Sequence, residues 1–238
     1  MGYDMEALTQ RLTALSDAGY AAFHRGLIPD SSCQVVGVRM PALRAVAKDI
    51  RTAPDWRDFL ESSRSHPIYE MRMLHAMVLG SAQCPVDEKL RLMDALLPHI
   101  DNWAVCDGLV TSFKPRASER EAVYEYAKAC AASDAAFKKR FGLVMLMSRF
   151  RDAPFLPGVM AVYRSFRHEA YYARMAAAWG LVTLWPDARE DCLSILEENL
   201  WDPFTHNKAI QKLLESDRIS EQDKALARSL RRAKESVK

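Results

Sequence analysis

An all-α solenoid of about six stacked helical pairs is the fold this sequence predicts, and three observations predict it. Apolar residues recur at helical spacing along almost all of the 238 residues, the helical stretches come in pairs, and the second helix of each pair begins at a nearly constant interval. Those second helices start near positions 67, 103, 136, 170 and 204, at intervals of about 33 to 36 residues, the period of an α-α superhelix. A two-helix unit of that size cannot bury its own apolar face. Stacking therefore makes one continuous core and leaves a concave groove walled by the second helices. Residues 1–238 then read as one domain.

Taken in order, residues 4–24 read as an amphipathic helix, with Met5, Leu8, Leu12, Leu15 and Tyr20 at helical intervals and Gly26 closing it. Residues 33–38 form the only strand-like run. They are few, lack an alternating partner and are interrupted by Gly37, so they read as loop. The helix over 40–51 carries Pro41 in its first turn, where the fixed φ of proline is already helical, and Leu43, Val46 and Ile50 form its stripe. The pairs come next: 54–62 with 67–83, 85–100 with 103–114, 117–132 with 134–150, 154–168 with 170–185, and 186–200 with 203–216. A charged helix over 221–234 suits an end cap. The period would suit tetratricopeptide repeats, but their W-x2-L-G-x2-Y signature is absent from every unit. Divergent HEAT-like pairs with short connections fit better.

Composition narrows the function. At 49% hydrophobic and 27% charged residues, the chain reads as an ordinary soluble globular protein. Lysine and arginine number 33 against 31 acids, so a nucleic-acid surface must be a local patch rather than a global field. The five cysteines form no CxxC, and the six histidines never pair at helical spacing. The cysteines read as buried reduced thiols, and neither a metal site nor a cofactor is expected. No window approaches the roughly 20 apolar residues of a membrane helix, and residues 1–12 lack a signal-peptide core, so the expected location is cytoplasmic.

The chemistry centres on Asp101-Asn102-Trp103-Ala104-Val105-Cys106-Asp107, where a tryptophan and a carboxylate stand four residues apart at the start of a helix. One helical turn puts Trp103 and Asp107 on one face, within reach of a single ligand. The other second helices offer Tyr69, Glu70, Arg72 and His75; Lys138, Lys139 and Arg140; Tyr172, Arg174 and Trp179; and Thr205, Asn207, Lys208 and Lys212. Cations interleaved with aromatics suit a phosphodiester backbone, and aromatic faces beside a carboxylate suit a cationic base. Each feature has a plainer reading taken singly. Tryptophans on helices are mostly core, an acid near a helix start mostly favours the N-terminus, and a lysine run is mostly a solvated face.

These residues resemble the AlkD-type HEAT-like repeat DNA glycosylases of the DNA alkylation repair protein family. The resemblance rests on Asn102 to Asp107, similar to the family's Trp-x-x-x-Asp, on Lys139-Arg140 heading an apolar helix, and on Tyr171-Tyr172 followed by Met175 to Trp179. Segments 37–44 and 204–212 are also similar to stretches of its members. The resemblance implies a monomeric glycosylase that excises cationic N3- and N7-alkylpurines from duplex DNA in base excision repair. In it Trp103 and Trp179 would flank the lesion deoxyribose, Asp107 would be the catalytic carboxylate, and Arg140 would grip backbone phosphate. The alternative is a catalytically inactive solenoid that binds damaged or branched DNA, or a protein partner; loss of Trp103, Asp107 or Trp179 would mark it, and all three are present.

Overall fold

The computed structural model describes residues 2–233, and among them there are fourteen α-helices, two 3-10 turns and no strand. Two compact units divide the chain, Met1–Arg120 and Glu121–Lys238. The first holds α1 (Met5–Ala14), α2 (Ala18–Leu27), α3 (Met40–Thr52), α4 (Trp56–Ser63), α5 (Tyr69–Ser81), α6 (Val86–Leu96) and α7 (Trp103–Ser112). The helix α8 (Arg120–Ala132) opens at the boundary. It is followed by α9 (Ala136–Arg149), α10 (Leu156–Arg164), α11 (Tyr171–Leu184), α12 (Arg189–Glu197), α13 (Pro203–Glu215) and α14 (Glu221–Ser229). The charged end helix expected over 221–234 is α14; Lys234 lies outside the described residues.

The stacking expected of a solenoid is present inside each unit. In the first, α3, α5 and α7 pack side by side as one layer, and α4 and α6 lie against it as the outer members of their pairs. In the second, α9, α11 and α13 form the layer, α10 and α12 cover it, and α14 packs on α13. Starts at Tyr69, Trp103, Ala136, Tyr171 and Pro203 keep the regular interval. A helix in the middle of such a layer is covered on several sides and loses its amphipathic stripe. That is why α5 buries eleven of its residues, from Tyr69 to Gly80, and why α11 is rich in small buried residues, Ala173 and Ala176 to Ala178.

Tyr163 ties the second unit together. Its ring is fully buried, its hydroxyl donates to the Leu143 carbonyl at 3.0 Å, and its own carbonyl accepts the buried Trp201 indole N–H at 2.8 Å. The ring lies so close to α11 that a Cβ on Gly180 would stand 2.0 Å from the tyrosine hydroxyl, so only glycine fits there.

The opening of the chain departs from the expected single helix over 4–24, which is two helices, α1 and α2, broken at 15–17. Asp17 causes the break. Its carboxylate caps α2 by accepting the Tyr20 N–H at 2.9 Å, and its own N–H donates to the Gly37 carbonyl at 3.1 Å. A short acidic side chain offers the backbone an alternative to helix continuation. Gly26, expected to close the helix, lies inside α2.

The run 33–38 is loop, as expected, and its strand-like pairing among the described residues is limited to isolated bridges, Ser16 with Val38 and Gln34 with Ile68. Glu70 holds it. The carboxylate is 1% exposed and accepts the N–H groups of Val36 at 3.0 Å, Gly37 at 2.7 Å and Val38 at 3.3 Å. Gly37 is required in this cradle, since its φ is +95° and a Cβ would lie 2.2 Å from the Asp17 carbonyl oxygen. Glu70 is therefore a buried brace rather than the groove residue its place on a second helix implied.

His75, placed with Glu70 in the sequence, is also buried, and its Nδ1 lies 2.9 Å from the Ser63 hydroxyl. Burial, aided by the nearby positive charges of Arg64 and His99, pushes its pKa down to about 3. The unfolded chain takes up a proton below the ordinary imidazole value of about 6.5 while folded His75 does not, so its contribution is complete above that pH and is lost on acidification. Between pH 6.5 and pH 5 the protein should lose roughly 1.5 kcal/mol of stability from this residue alone. Denaturant titrations of wild type and His75→Gln at both pH values check this. The variant should have the flatter pH dependence, and parallel slopes would contradict the assignment.

Candidate nucleic-acid interface and active site

An open hollow of about 740 Å³ lies in the first unit between α2, α3, α5 and α7. One wall is the α7 ridge of Trp103, Asp107 and Thr111, flanked by Ala104, Gly108 and Ser112. Trp103 and Asp107 thus share the face that their spacing of four predicts. Another part of the lining is α2, which brings Tyr20, Phe23 and Leu27, with Phe23 62% exposed. Met73 and Met77 of α5 line the hollow as well. Cations complete the lining: Arg44, Lys48 and Arg51 of α3 at spacings of four and three, and Lys114 beyond α7.

The start of α7 is set with care. Asn102 is buried and accepts the Val105 N–H at 3.0 Å, which makes it the N-cap. Asp107 lies beyond the first turn, so the capping role that an acid near a helix start usually has is not its own. Trp103 is half-buried, and its indole N–H donates to the Leu27 carbonyl at the end of α2 at 2.8 Å. Just before the cap, the Asp101 carboxylate accepts from the Ser31 hydroxyl at 3.0 Å and from the Ser32 hydroxyl and N–H at 2.8 and 3.0 Å. It also accepts from Asn102 at 2.9 Å and pairs with Arg72 at 3.3 Å. Burial alone would raise its pKa, and these donors outweigh burial and hold it below the usual carboxylate range.

In the second unit the sequence-derived residues fall on α9, α11 and α13. Lys138 is half-buried, whereas Lys139 and Arg140 are only 7% and 6% exposed. The Lys139 ammonium lies 5.9 Å from the centre of the Phe166 ring, and burial lowers its pKa. Arg140 donates to the Tyr172 carbonyl at 3.1 Å, and the Tyr172 ring packs on Phe137 at 5.3 Å. Arg174 donates to the His168 carbonyl at 2.9 Å and faces Asp202 at 3.8 Å, with Phe204 beneath its guanidinium at 5.5 Å. Lys208 shares that Phe204 ring at 5.8 Å and donates to Gln211, while Lys212 is half-buried on the same helix. Thr205 is buried at the α13 cap and Asn207 holds Arg232 through its backbone, so neither is a groove residue.

The tryptophans divide clearly. Trp56, Trp185 and Trp201 are buried core residues, but Trp103 is half-buried on the hollow and Trp179 is 38% exposed on α11. The plain reading of Trp103 and Trp179 as core residues is therefore set aside by their surroundings.

An all-α stack of helical pairs, presenting an aromatic and carboxylate hollow with a cationic lining, has the character of a nucleic-acid-binding repeat protein. The family model described as DNA alkylation repair enzyme matches residues 6–229, and the chain belongs to that family. No match is found among the curated proteins. Among the described residues no helix is long and apolar enough to cross a membrane, and no group of three or more His, Cys, Asp or Glu is placed to hold a metal ion.

Proposed function

We propose that the protein is a DNA glycosylase that excises cationic N3- and N7-alkylpurines from duplex DNA, with Asp107 as the catalytic carboxylate. The observation that carries the reading is Trp103 and Asp107 on one face of α7, in an open hollow lined by cations. An alkylated purine is positively charged and its glycosidic bond is already weak, so no acid is needed at the leaving base. Asp107 would stabilise the oxocarbenium-like sugar as the bond lengthens and orient the attacking water. Trp103 would offer its ring to the cationic nucleotide, fixed in direction by the hydrogen bond to Leu27.

Arg44, Lys48, Arg51 and Lys114 would neutralise backbone phosphates beside the hollow. In the second unit the same part falls to Lys138, Arg174, Lys208 and Lys212. Arg140 would act through the backbone at Tyr172, and the exposed Trp179 ring would contact the nucleic acid. Lys139, turned onto Phe166, is left out of the contact set.

The test is release of free base from duplexes carrying 7-methylguanine, 3-methyladenine or the neutral lesion uracil. The first two should be excised and the third not; failure to release either cationic base would refute the reading. The lining cations make a separate prediction. Lys48→Ala and Arg44→Ala should each weaken duplex binding and lower the slope of log affinity against log salt by about 0.9, as fluorescence anisotropy at several salt concentrations would record. An unchanged slope would place the phosphates elsewhere.

A further inference from the structure

We infer that Asp101, with Ser31 and Ser32, is a clasp that sets the distance between α2 and α7 at the hollow and so limits the size of the base adduct admitted. The inference rests on the proposed excision site and adds positioning residues to it.

The two units share one bracing pattern. Each has an arginine early in its central helix that donates through Nε to the carbonyl of a histidine six residues earlier: Arg72 to His66 at 2.8 Å and Arg174 to His168 at 2.9 Å. Each arginine also meets an aspartate before the next helix of the layer, Asp101 at 3.3 Å and Asp202 at 3.8 Å. This bracing of one helix start by the previous helix is common scaffolding. The two aspartates differ in their remaining partners. Asp202 is itself the N-cap of α13 and gives its carboxylate to Phe204 and Thr205. Before α7 the cap is Asn102, so the Asp101 carboxylate does not cap the helix. It takes three hydrogen bonds from Ser31 and Ser32, in the segment directly after α2.

The clasp therefore joins two of the elements that line the hollow. At one end is α7, with Trp103 and Asp107; at the other is α2, with Tyr20, Phe23 and Leu27. The Trp103 indole bond to Leu27 closes the same seam a few residues away. Farther along, α2 is held by His24 against the Tyr69 ring at 4.4 Å and by the Asp17 contact with Gly37. With those ties intact, loss of the clasp should free the C-terminal end of α2 alone. The outcome would be a wider hollow mouth rather than an unfolded protein. None of Asp101, Ser31 and Ser32 lines the hollow, so their substitution leaves its chemistry in place.

The experiment uses the double variant Ser31→Ala/Ser32→Ala of the full chain and has two arms. In the free protein, hydrogen exchange of amides at 22–28 should accelerate at least tenfold, with α3 and α5 unchanged. Single-turnover excision should shift in selectivity: the rate on a bulky cationic N7 adduct relative to 7-methylguanine should rise about fivefold or more. Parallel loss on both substrates, or no change in the ratio, would overturn the size limit and leave the clasp an ordinary brace. Unchanged exchange at 22–28 would overturn the clasp whatever the excision result. If wild type excises neither substrate, the excision reading fails, the size limit fails with it, and the exchange arm alone decides whether the clasp holds α2.

Discussion

Asp107→Asn is expected to lower single-turnover excision of a cationic alkylpurine by roughly 100- to 1000-fold, equivalent to about 2.7 to 4 kcal/mol of transition-state stabilisation. The substitution removes a negative charge and almost no volume, so the hollow keeps its shape. On the proposed function, what it would lose is the charge that faces the sugar as positive character develops there. Fold should survive, because Asn102 rather than Asp107 caps α7. A melting temperature within about 2 °C of wild type, measured on the same preparation, separates chemical loss from structural loss. Were Asp107 only a favourable charge near a helix start, the variant would lose under about 1 kcal/mol of stability and none of its rate.

The largest effect on stability is expected at Tyr163. Tyr163→Ala empties a fully buried site and removes the donor to the Leu143 carbonyl. Large-to-small aromatic truncation in a core costs about 3 to 5 kcal/mol. For a chain of this size each kcal/mol moves the midpoint by about 2 to 4 °C, so thermal denaturation should shift downward by roughly 6 to 20 °C. Trp179→Ala is the contrast. Its ring is exposed on α11, so the same measurement should move by no more than about 2 °C while duplex binding weakens. Equal thermal losses in the two variants would mean that Trp179 is core after all.

Much of the fold is legible in the sequence because stacked helices must each present apolar residues to a neighbour at a fixed repeat. The period shows in the positions of Trp103, Ala136 and the helix starts around them. The break at Asp17 is hidden. Leu15 and Tyr20 continue the apolar period across it, and only the contact with Gly37, twenty residues on, decides that Asp17 caps a new helix.

At the site, the shared face of Trp103 and Asp107 follows from helical geometry and needs no tertiary knowledge. Which polar residues are buried does not follow from that geometry. Glu70 sits on a second helix as Asp107 does, and only the loop folding over it, with three N–H donors, makes it a brace. Lys139 and Lys138 are neighbours in a basic run, yet rotation by one residue turns Lys139 onto Phe166. The cations of α3 escape the sequence reading for a different reason. Arg44, Lys48 and Arg51 have helical spacing that is visible in the chain, but α3 precedes the repeating pairs, and its apolar stripe is the signal that stands out there.

The proposed function has Asp107 perform excision in the hollow of the first unit. Its most direct test is chromatographic measurement of free 7-methylguanine released under single-turnover conditions by wild type and by Asp107→Asn, each matched for folding. The expected result is base release by wild type roughly 100-fold or more faster than by the variant, by analogy with other preorganised electrostatic groups. Equal rates for the two proteins, or no release by wild type above the protein-free control, would contradict it.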